Sequence, residues 1–124
     1  MATPPPLYNI EAEEAVIGSL MIDSGLFRKV PSLTAEMFYR DKHKWLFAAM
    51  TDLFNAGEPC DPITLGSELE RSGKLASVGG PAELSAFLLK VPMGWNVEHY
   101  AKIVKEHWVR RGIAASTEQV MKLA

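Results

Sequence analysis

The sequence predicts an all-α protein, consisting of a compact helical globule followed by one long C-terminal helix. Three observations support this prediction. Apolar residues recur at the three-to-four-residue spacing of a helix from Asn9 onward. Cap residues, glycines and prolines stand where helices of ordinary length would begin and end. No stretch of the chain alternates between apolar and polar residues as a strand bounded by hairpin turns would.

The composition is that of one small domain. The chain has 124 residues, of which 48% are hydrophobic, enough to form a core. Its net charge of −2 gives no global electrostatic reason for nucleic-acid binding, although a local patch could still bind. The single Cys60 excludes an internal disulfide, and no apolar run forms a signal peptide or reaches the ~20 residues of a membrane span. We expect a cytoplasmic domain without membrane association.

The N-terminal residues 1–8 contain three consecutive prolines and are predicted to form a disordered tail. A helix should follow from Ile10 to Ile22, with Asn9 as its N-cap. The acidic residues placed to complement its dipole are Glu11, Glu13 and Glu14. The residues predicted to face the core are Val16, Ile17, Leu20 and Met21. Gly18 costs ~1 kcal/mol relative to Ala inside a helix, which predicts that a neighbouring helix approaches closely there.

The clearest internal helix runs from Asp41 to Asn55, and Gly57 supplies the left-handed residue that ends it. Its apolar stripe consists of Leu46, Phe47, Met50, Leu53 and Phe54. Two short turns are expected before this helix. They lie at Leu26–Val30, before Pro31, and at Thr34–Phe38, with Thr34 as the cap.

Two further helices complete the globule, which we assign to residues 9–95. Asp61-Pro62 is a cap followed by proline at the first helical position, and this helix should end at Gly73. Its apolar residues are Ile63, Leu65 and Leu69. After a brief turn at 75–78, the next helix should break at Val91-Pro92, because proline disfavours helical geometry in the preceding residue. Its buried residues are expected to be Leu84, Phe87 and Leu88.

The last predicted segment, residues 96–124, is a helix capped by Asn96 that meets no further proline. Twenty-eight residues from Val97 would span ~42 Å at about 1.5 Å per residue. The preceding residues would form a globule of roughly 30 Å diameter, so the helix must extend beyond it. The apolar residues expected on this overhang are Val104, Trp108, Ala115, Val120 and Leu123. An apolar stripe with nothing of its own to cover it predicts a partner, either a second helix or another subunit.

No catalytic set, metal site or cofactor site is predicted in this fragment. No glycine-rich loop is followed by Lys-Ser or Lys-Thr, so the chain should not hydrolyse ATP by itself. The three histidines lack the spacing of zinc ligands and are predicted to be structural or exposed. Cys60 has no nearby His in sequence to activate it as a nucleophile. Glu68 and Glu70 lie on different helix faces and are interpreted as solvated charges.

Two basic clusters remain. The first, Arg40, Lys42 and Lys44, is best interpreted as a solvated helix face. The second consists of Lys102, Lys105, Arg110 and Arg111. It lies beside Trp108, a combination typical of a protein interface; a nucleic-acid groove is disfavoured by interspersed glutamates. The predicted interface positions are Val104, Trp108, Arg111 and Ala115.

Read in order, several segments resemble the N-terminal domain of the DnaB family of bacterial and phage replicative helicases. They cover nearly the whole chain from Pro5. The matching segments are Pro5-Pro6, 9–13, 16–23, 38–40, His43, 57–61, 69–75, 78–80, Leu84, Asn96, 100–106 and Arg110-Arg111.

The resemblance implies that the last helix is the first arm of a helical hairpin, truncated at Ala124. It implies that hairpins pair between subunits, so that dimers build a hexameric collar above a ring of ATPase domains. A DnaG-type primase and a helicase loader are the implied partners. ATP, Mg and single-stranded DNA would be bound by the missing motor domain of the parent protein. The sequence departs from the family at His107-Trp108-Val109, where an aliphatic-rich stretch is expected, so hairpin pairing or partner choice could differ.

Two alternatives from other functional classes remain open. The chain could be a stand-alone helical regulator that binds primase or a loader. It could also be a helical DNA-binding module that uses Lys102, Lys105, Arg110 and Arg111, whose affinity would fall steeply with salt. An independent enzyme ranks last, because no catalytic constellation is found.

Overall fold

The computed structural model describes residues 6–94 and 96–123, and within these ranges the chain forms helices and no strands. The α-helices are α1 (Ile10–Ile22), α2 (Asp41–Asn55), α3 (Pro62–Arg71), α4 (Gly80–Ala86) and α5 (Val97–Leu123). Short 3-10 segments lie between them at Ser24–Lys29, Ala35–Met37, Ala76–Val78 and Phe87–Leu89. The all-α prediction is therefore confirmed. Residues 1–5 of the predicted tail and Ala124 lie outside the described residues.

The local signals in the sequence determine where the helices begin and end. The Asn9 side chain accepts a hydrogen bond from the backbone N–H of Ala12 at 3.0 Å, as an N-cap does. Asp61 caps α3 in the same way, and the N–H of Thr64 is the main cause of the lowered pKa of its carboxyl. Gly57 has a φ of 77°, which places it in the left-handed region. Thr34 precedes its 3-10 segment but makes no side-chain cap, contrary to the prediction.

The core is built around α1, which is buried along most of its length and packs against α2, α5 and the 3-10 segment Phe87–Leu89. Its predicted core residues are all buried, namely Val16, Ile17, Leu20 and Met21. Gly18 allows α1 to pack closely against the segment Phe87–Leu89. A Cβ at that position would lie 2.4 Å from the carbonyl oxygen of Phe87, so only glycine lets the two segments approach this closely. The neighbour is a 3-10 segment and not an α-helix.

Two predicted core residues are on the surface. Ile63 is 83% exposed, because α3 buries Leu65 and Leu69, and a residue two positions before Leu65 lies on the far side of the helix. Leu88 is also exposed, because Phe87 points into the core and the next residue of a 3-10 segment turns about 120° away.

The long helix α5 is confirmed, and its 27 residues correspond to about 40 Å. Its first half packs against the globule through Val97, Ala101 and Val104, all of which are buried. After Arg111, every described residue of α5 is exposed. The overhang therefore starts at Gly112, later than predicted. Of the described helices, none combines the length and the apolar character needed to cross a membrane.

Candidate partner-binding surface

One face of α5 lies against the globule. The residues that form this face recur every three or four positions and are Val97, Ala101, Val104, Trp108 and Arg111. Because a helix has about 3.6 residues per turn, the same face continues to Ala115 beyond the globule. All four predicted interface positions, Val104 to Ala115, therefore belong to the face that the chain uses for its own packing.

The four predicted interface positions differ in how far they are exposed. Val104 is a core residue with 2% exposure, so the prediction that it lies on the overhang is wrong. Trp108 is half-buried and packs against the core of its own chain. Arg111 is half-buried as well, whereas Ala115 is fully on the surface. Partner binding through Trp108, Arg111 and Ala115 stays a prediction.

A second apolar stripe on α5 has no cover in the described structure. Its residues are Val109, Ile113, Val120 and Leu123, all exposed, with Ile113 at 62%. Ser116 completes their spacing of four, three, four and three residues, which is typical of a helix seam that packs against another helix. The stripe lies roughly 120° around the helix from the globule-facing residues. Its residues Val109, Ile113 and Ser116 line an open, mostly apolar groove of about 500 Å³ that extends from Trp108 to Thr117.

This second stripe was only partly visible in the sequence. Val120 and Leu123 were predicted on the overhang, but they were grouped with Val104 and Trp108, which the globule covers. Both stripes recur at helical spacing, so periodicity alone does not say which of them the globule occupies. Which stripe the globule covers depends on how it packs against α5, and this tertiary packing is not visible in the periodicity.

Arg111 marks the point where α5 leaves the globule. Its guanidinium donates hydrogen bonds to two backbone carbonyls, that of Leu7 at 2.7 Å and that of Met37 at 2.8 Å. The same group lies 5.5 Å from the ring centroid of Tyr39, within the range of a cation–π contact. On Tyr39 the ring of Tyr8 stacks at 4.2 Å with an interplanar angle of 12°. Leu7 and Tyr8, which were predicted to belong to the disordered tail, thus have defined contacts.

The loop that carries Tyr39 is held by a buried carboxylate. Glu13 accepts hydrogen bonds from the backbone N–H groups of Tyr39 at 2.7 Å and Arg40 at 3.4 Å. Its Oε1 lies 2.7 Å from Nδ1 of His43, and both side chains are buried. Glu13 lies in the first turn of α1, as predicted, but it is buried and also has partners in the core. Periodicity and capping patterns do not reveal a pair separated by 30 positions.

The basic residues mostly have partners within the chain. Lys102 lies 3.9 Å from Glu106, and Lys105 donates to the hydroxyl of Ser32 at 3.2 Å. Lys42 pairs with Glu83 at 3.4 Å, and Lys44 lies 3.9 Å from Asp41. Arg111 is bound to two carbonyls, whereas Lys102, Lys105 and Arg110 line an open groove of about 420 Å³ together with Glu106.

Cys60 has the environment of a structural residue. Its thiol is buried and donates to the carbonyl of Met50 at 3.4 Å. Burial raises the pKa of this thiol to about 11, and the nearby Asp61 carboxylate contributes a smaller part of the increase. Such a thiol is not a nucleophile near neutral pH. In the described part of the chain, no three His, Cys, Asp or Glu side chains are grouped as metal ligands.

Known proteins with this sequence pattern are replicative helicases. The replicative DNA helicase DnaB of Geobacillus stearothermophilus is 38% identical over 116 residues, which cover 93% of this chain and 26% of that protein. The replicative DNA helicase DnaC of Bacillus subtilis (strain 168) is 40% identical over 107 residues, covering 86% of this chain and 24% of the relative. The chain therefore spans about a quarter of the length of these relatives.

The fold is that of solved helicase N-terminal domains. The crystal structure of the N-terminal domain of DnaB helicase from Mycobacterium tuberculosis superposes with a TM-score of 0.90 at 31% identity, covering 95% of this chain and 86% of that one. The structure of a DnaB-like replicative helicase superposes with a TM-score of 0.78 at 28% identity, covering 92% of this chain and 27% of the other. The family model of the DnaB-like helicase N terminal domain matches residues 5–106. The chain belongs to this family, which confirms the prediction from the ordered sequence segments that resemble it.

Proposed function

We propose that this chain is the assembly and docking domain of a hexameric, ATP-dependent replicative DNA helicase, and that it pairs subunits through the second half of α5. The observation that carries the proposal is the exposed stripe of Val109, Ile113, Val120 and Leu123. Leaving such a row in water is unfavourable, and a second helix packed along it would remove most of this apolar surface from water. The pairing helix would come from another copy or from a hairpin arm of the parent protein, and dimers formed this way would build the ring.

The proposed docking partners are a DnaG-type primase and a helicase loader. A DnaB-like replicative helicase that shares this fold at 28% identity interacts with primase, which supports the first of these partners. The loader is proposed from membership of the family alone. The parent protein would bind ATP and Mg in a separate motor domain, where single-stranded DNA would also be contacted. Relatives about four times as long as this chain support such an arrangement.

Primase binding is tested by titrating the chain with the DnaG-type primase of the same organism in a calorimeter. We expect a saturable complex with a dissociation constant in the micromolar range or below. A second titration with a similarly acidic helical protein serves as the control for unspecific association. If the primase gives no heat and does not elute together with the chain at tens of micromolar, primase docking on this domain is wrong.

The DNA-binding alternative predicts that the chain binds oligonucleotides, whereas the proposed function predicts that it does not. We expect no anisotropy change when a fluorescent single-stranded or duplex oligonucleotide is titrated with the chain in low salt. Three of the four basic residues, Lys102, Lys105 and Arg111, have partners in their own chain, and Glu106 lies beside Arg110 in the same groove. Binding that weakens steeply with salt would instead favour the DNA-binding module.

A further inference from the structure

The direction of the α5 overhang depends on a small cluster of contacts at its base. The cluster consists of Leu7 and Tyr8, Tyr39 and Arg111. Arg111 is the last half-buried residue of α5, and the next twelve described residues, 112–123, are all exposed. The contacts of Arg111 are therefore the last side-chain contacts with the globule before the overhang begins.

One side of this cluster is anchored in the globule. Tyr39 is anchored through its backbone N–H, which donates to the buried Glu13 carboxylate at 2.7 Å. Glu13 in turn bonds to His43 at the start of α2. Met37, whose carbonyl accepts from Arg111, lies in the core itself. The ring of Tyr39 and the carbonyl of Met37 thus form a fixed platform on the globule.

The other side of the cluster is a short strap, residues 7–8, that lies across the platform before α1 begins. It is held by the carbonyl of Leu7, which accepts from Arg111 at 2.7 Å, and by the stacking of Tyr8 on Tyr39. Both strap residues remain more than one-third exposed. Few and exposed contacts of this kind open far more easily than a core does.

Gly112 follows the cluster directly. It is the one glycine of α5, and a Cβ built there would meet nothing within 4 Å, so no close packing requires it. Glycine weakens a helix interior relative to alanine. The helix is therefore weakest at the position immediately after its last anchored residue.

We propose that the strap, Arg111 and Gly112 form a conformational switch: the closed strap fixes the direction of the overhang through Arg111, and release of the strap lets the overhang pivot at Gly112. Arg111 suits this role because its planar guanidinium can bond to two carbonyls and stack on an aromatic ring at once. A ligand or modification that acts on residues 7–8 would then change the direction of α5 without touching it. The proposal is independent of which partner the overhang binds.

The test measures the distance between the overhang and the globule by double electron–electron resonance. Spin labels are attached to cysteines introduced at Asp52 on α2 and Thr117 on α5, both of which are exposed. Cys60 is buried and keeps its proton near neutral pH, so labelling is selective. The labelled chain is diluted into an excess of unlabelled chain, so that only label pairs within one molecule contribute. We expect one narrow distance distribution in the labelled chain without further substitutions.

Two variants release the strap from opposite ends, namely Arg111→Gln and Tyr8→Ala. We expect each to broaden the distribution at least twofold, while Arg110→Gln, which removes the same charge from an exposed neighbour, leaves it unchanged. Tyr8 lies outside the helices, so Tyr8→Ala tests the proposal even if Arg111→Gln folds poorly. Adding Gly112→Ala to Tyr8→Ala should narrow the distribution again.

Three results would overturn the proposal. If neither variant differs from Arg110→Gln, the cluster does not orient the overhang. If only Arg111→Gln broadens the distribution, Arg111 acts without the strap. If Gly112→Ala does not narrow the distribution of the strap-released protein, the pivot is not at Gly112.

Discussion

Glu13 and His43 lie 30 positions apart in the sequence, yet Oε1 of the first and Nδ1 of the second are 2.7 Å apart in the core. The pair links α1 to the start of α2, and the same carboxylate holds the loop at Tyr39 and Arg40. This one side chain therefore joins the first helix of the globule to the platform from which α5 departs.

Removing the Glu13 carboxylate should strongly destabilise the fold. Glu13→Ala leaves two backbone N–H groups and a buried imidazole without their acceptor, which costs about 3–5 kcal/mol of the free energy of unfolding. Urea denaturation measures this loss. Glu11→Ala, at an exposed position in the same helical turn, is the matched control and should cost less than about 0.5 kcal/mol. A loss below about 1 kcal/mol for Glu13→Ala would show that the network contributes little.

Two glycines inside helices should respond in opposite ways to the same substitution. Gly18→Ala places a methyl group 2.4 Å from the carbonyl oxygen of Phe87, so it should lower the free energy of unfolding by about 1–3 kcal/mol. In Gly112→Ala the new methyl group has no atom within 4 Å. The substitution should therefore stabilise the helix of the overhang by about 1 kcal/mol and increase its helicity. Denaturation and circular dichroism measure both effects. Equal effects of the two substitutions would contradict the packing described at Gly18.

Trp108→Ala should lower the stability of the chain itself. The indole packs against the core from the globule-facing side of α5, so its removal should cost about 2 kcal/mol of the free energy of unfolding. The sequence had predicted a loss of association of at least about 2 kcal/mol at this position. Measuring unfolding and self-association on the same sample separates the two roles. An unchanged unfolding transition together with lost association would assign Trp108 to the partner interface alone.

The raised pKa of Cys60 should make stability fall in alkaline solution. The folded thiol has a pKa of about 11, against 9.0 for an unperturbed cysteine, so above pH 9 the thiol of the unfolded chain loses its proton first. The contribution of Cys60 to the free energy of unfolding is complete below pH 9 and is lost as the pH rises to about 11. Between pH 9 and about 11, the free energy of unfolding measured by urea denaturation should therefore decrease less in Cys60→Ala than in the unchanged chain. Parallel curves for both proteins would contradict the raised pKa.

The parts of the fold that the sequence predicted well are those determined by neighbouring residues. Asn9, Asp61-Pro62 and Gly57 act on the backbone within a few positions, so their effect is visible in sequence. The length of α5 was predictable for the same reason, because proline and cap signals are local.

The contacts that define the candidate site could not be predicted, because they join distant segments. Arg111 binds carbonyls 104 and 74 positions away, and carbonyls carry no sequence signal. Val104 was placed on the overhang because its helical spacing is the same inside and outside the globule. Only the packed structure distinguishes the stripe that the globule covers from the stripe that stays exposed.

The central claim is that the exposed stripe of α5, and not its globule-facing side, binds another helix. Light scattering across a range of concentrations tests it with the unchanged chain and with Ile113→Asp and Ala115→Asp, two exposed positions on opposite sides of α5. We expect the unchanged chain and Ala115→Asp to form dimers or larger species as concentration rises, and Ile113→Asp to lose about 2 kcal/mol or more of association. A strict monomer at all concentrations would exclude a second copy as the source of the pairing helix and leave the hairpin arm. Association lost in Ala115→Asp and kept in Ile113→Asp would contradict the claim.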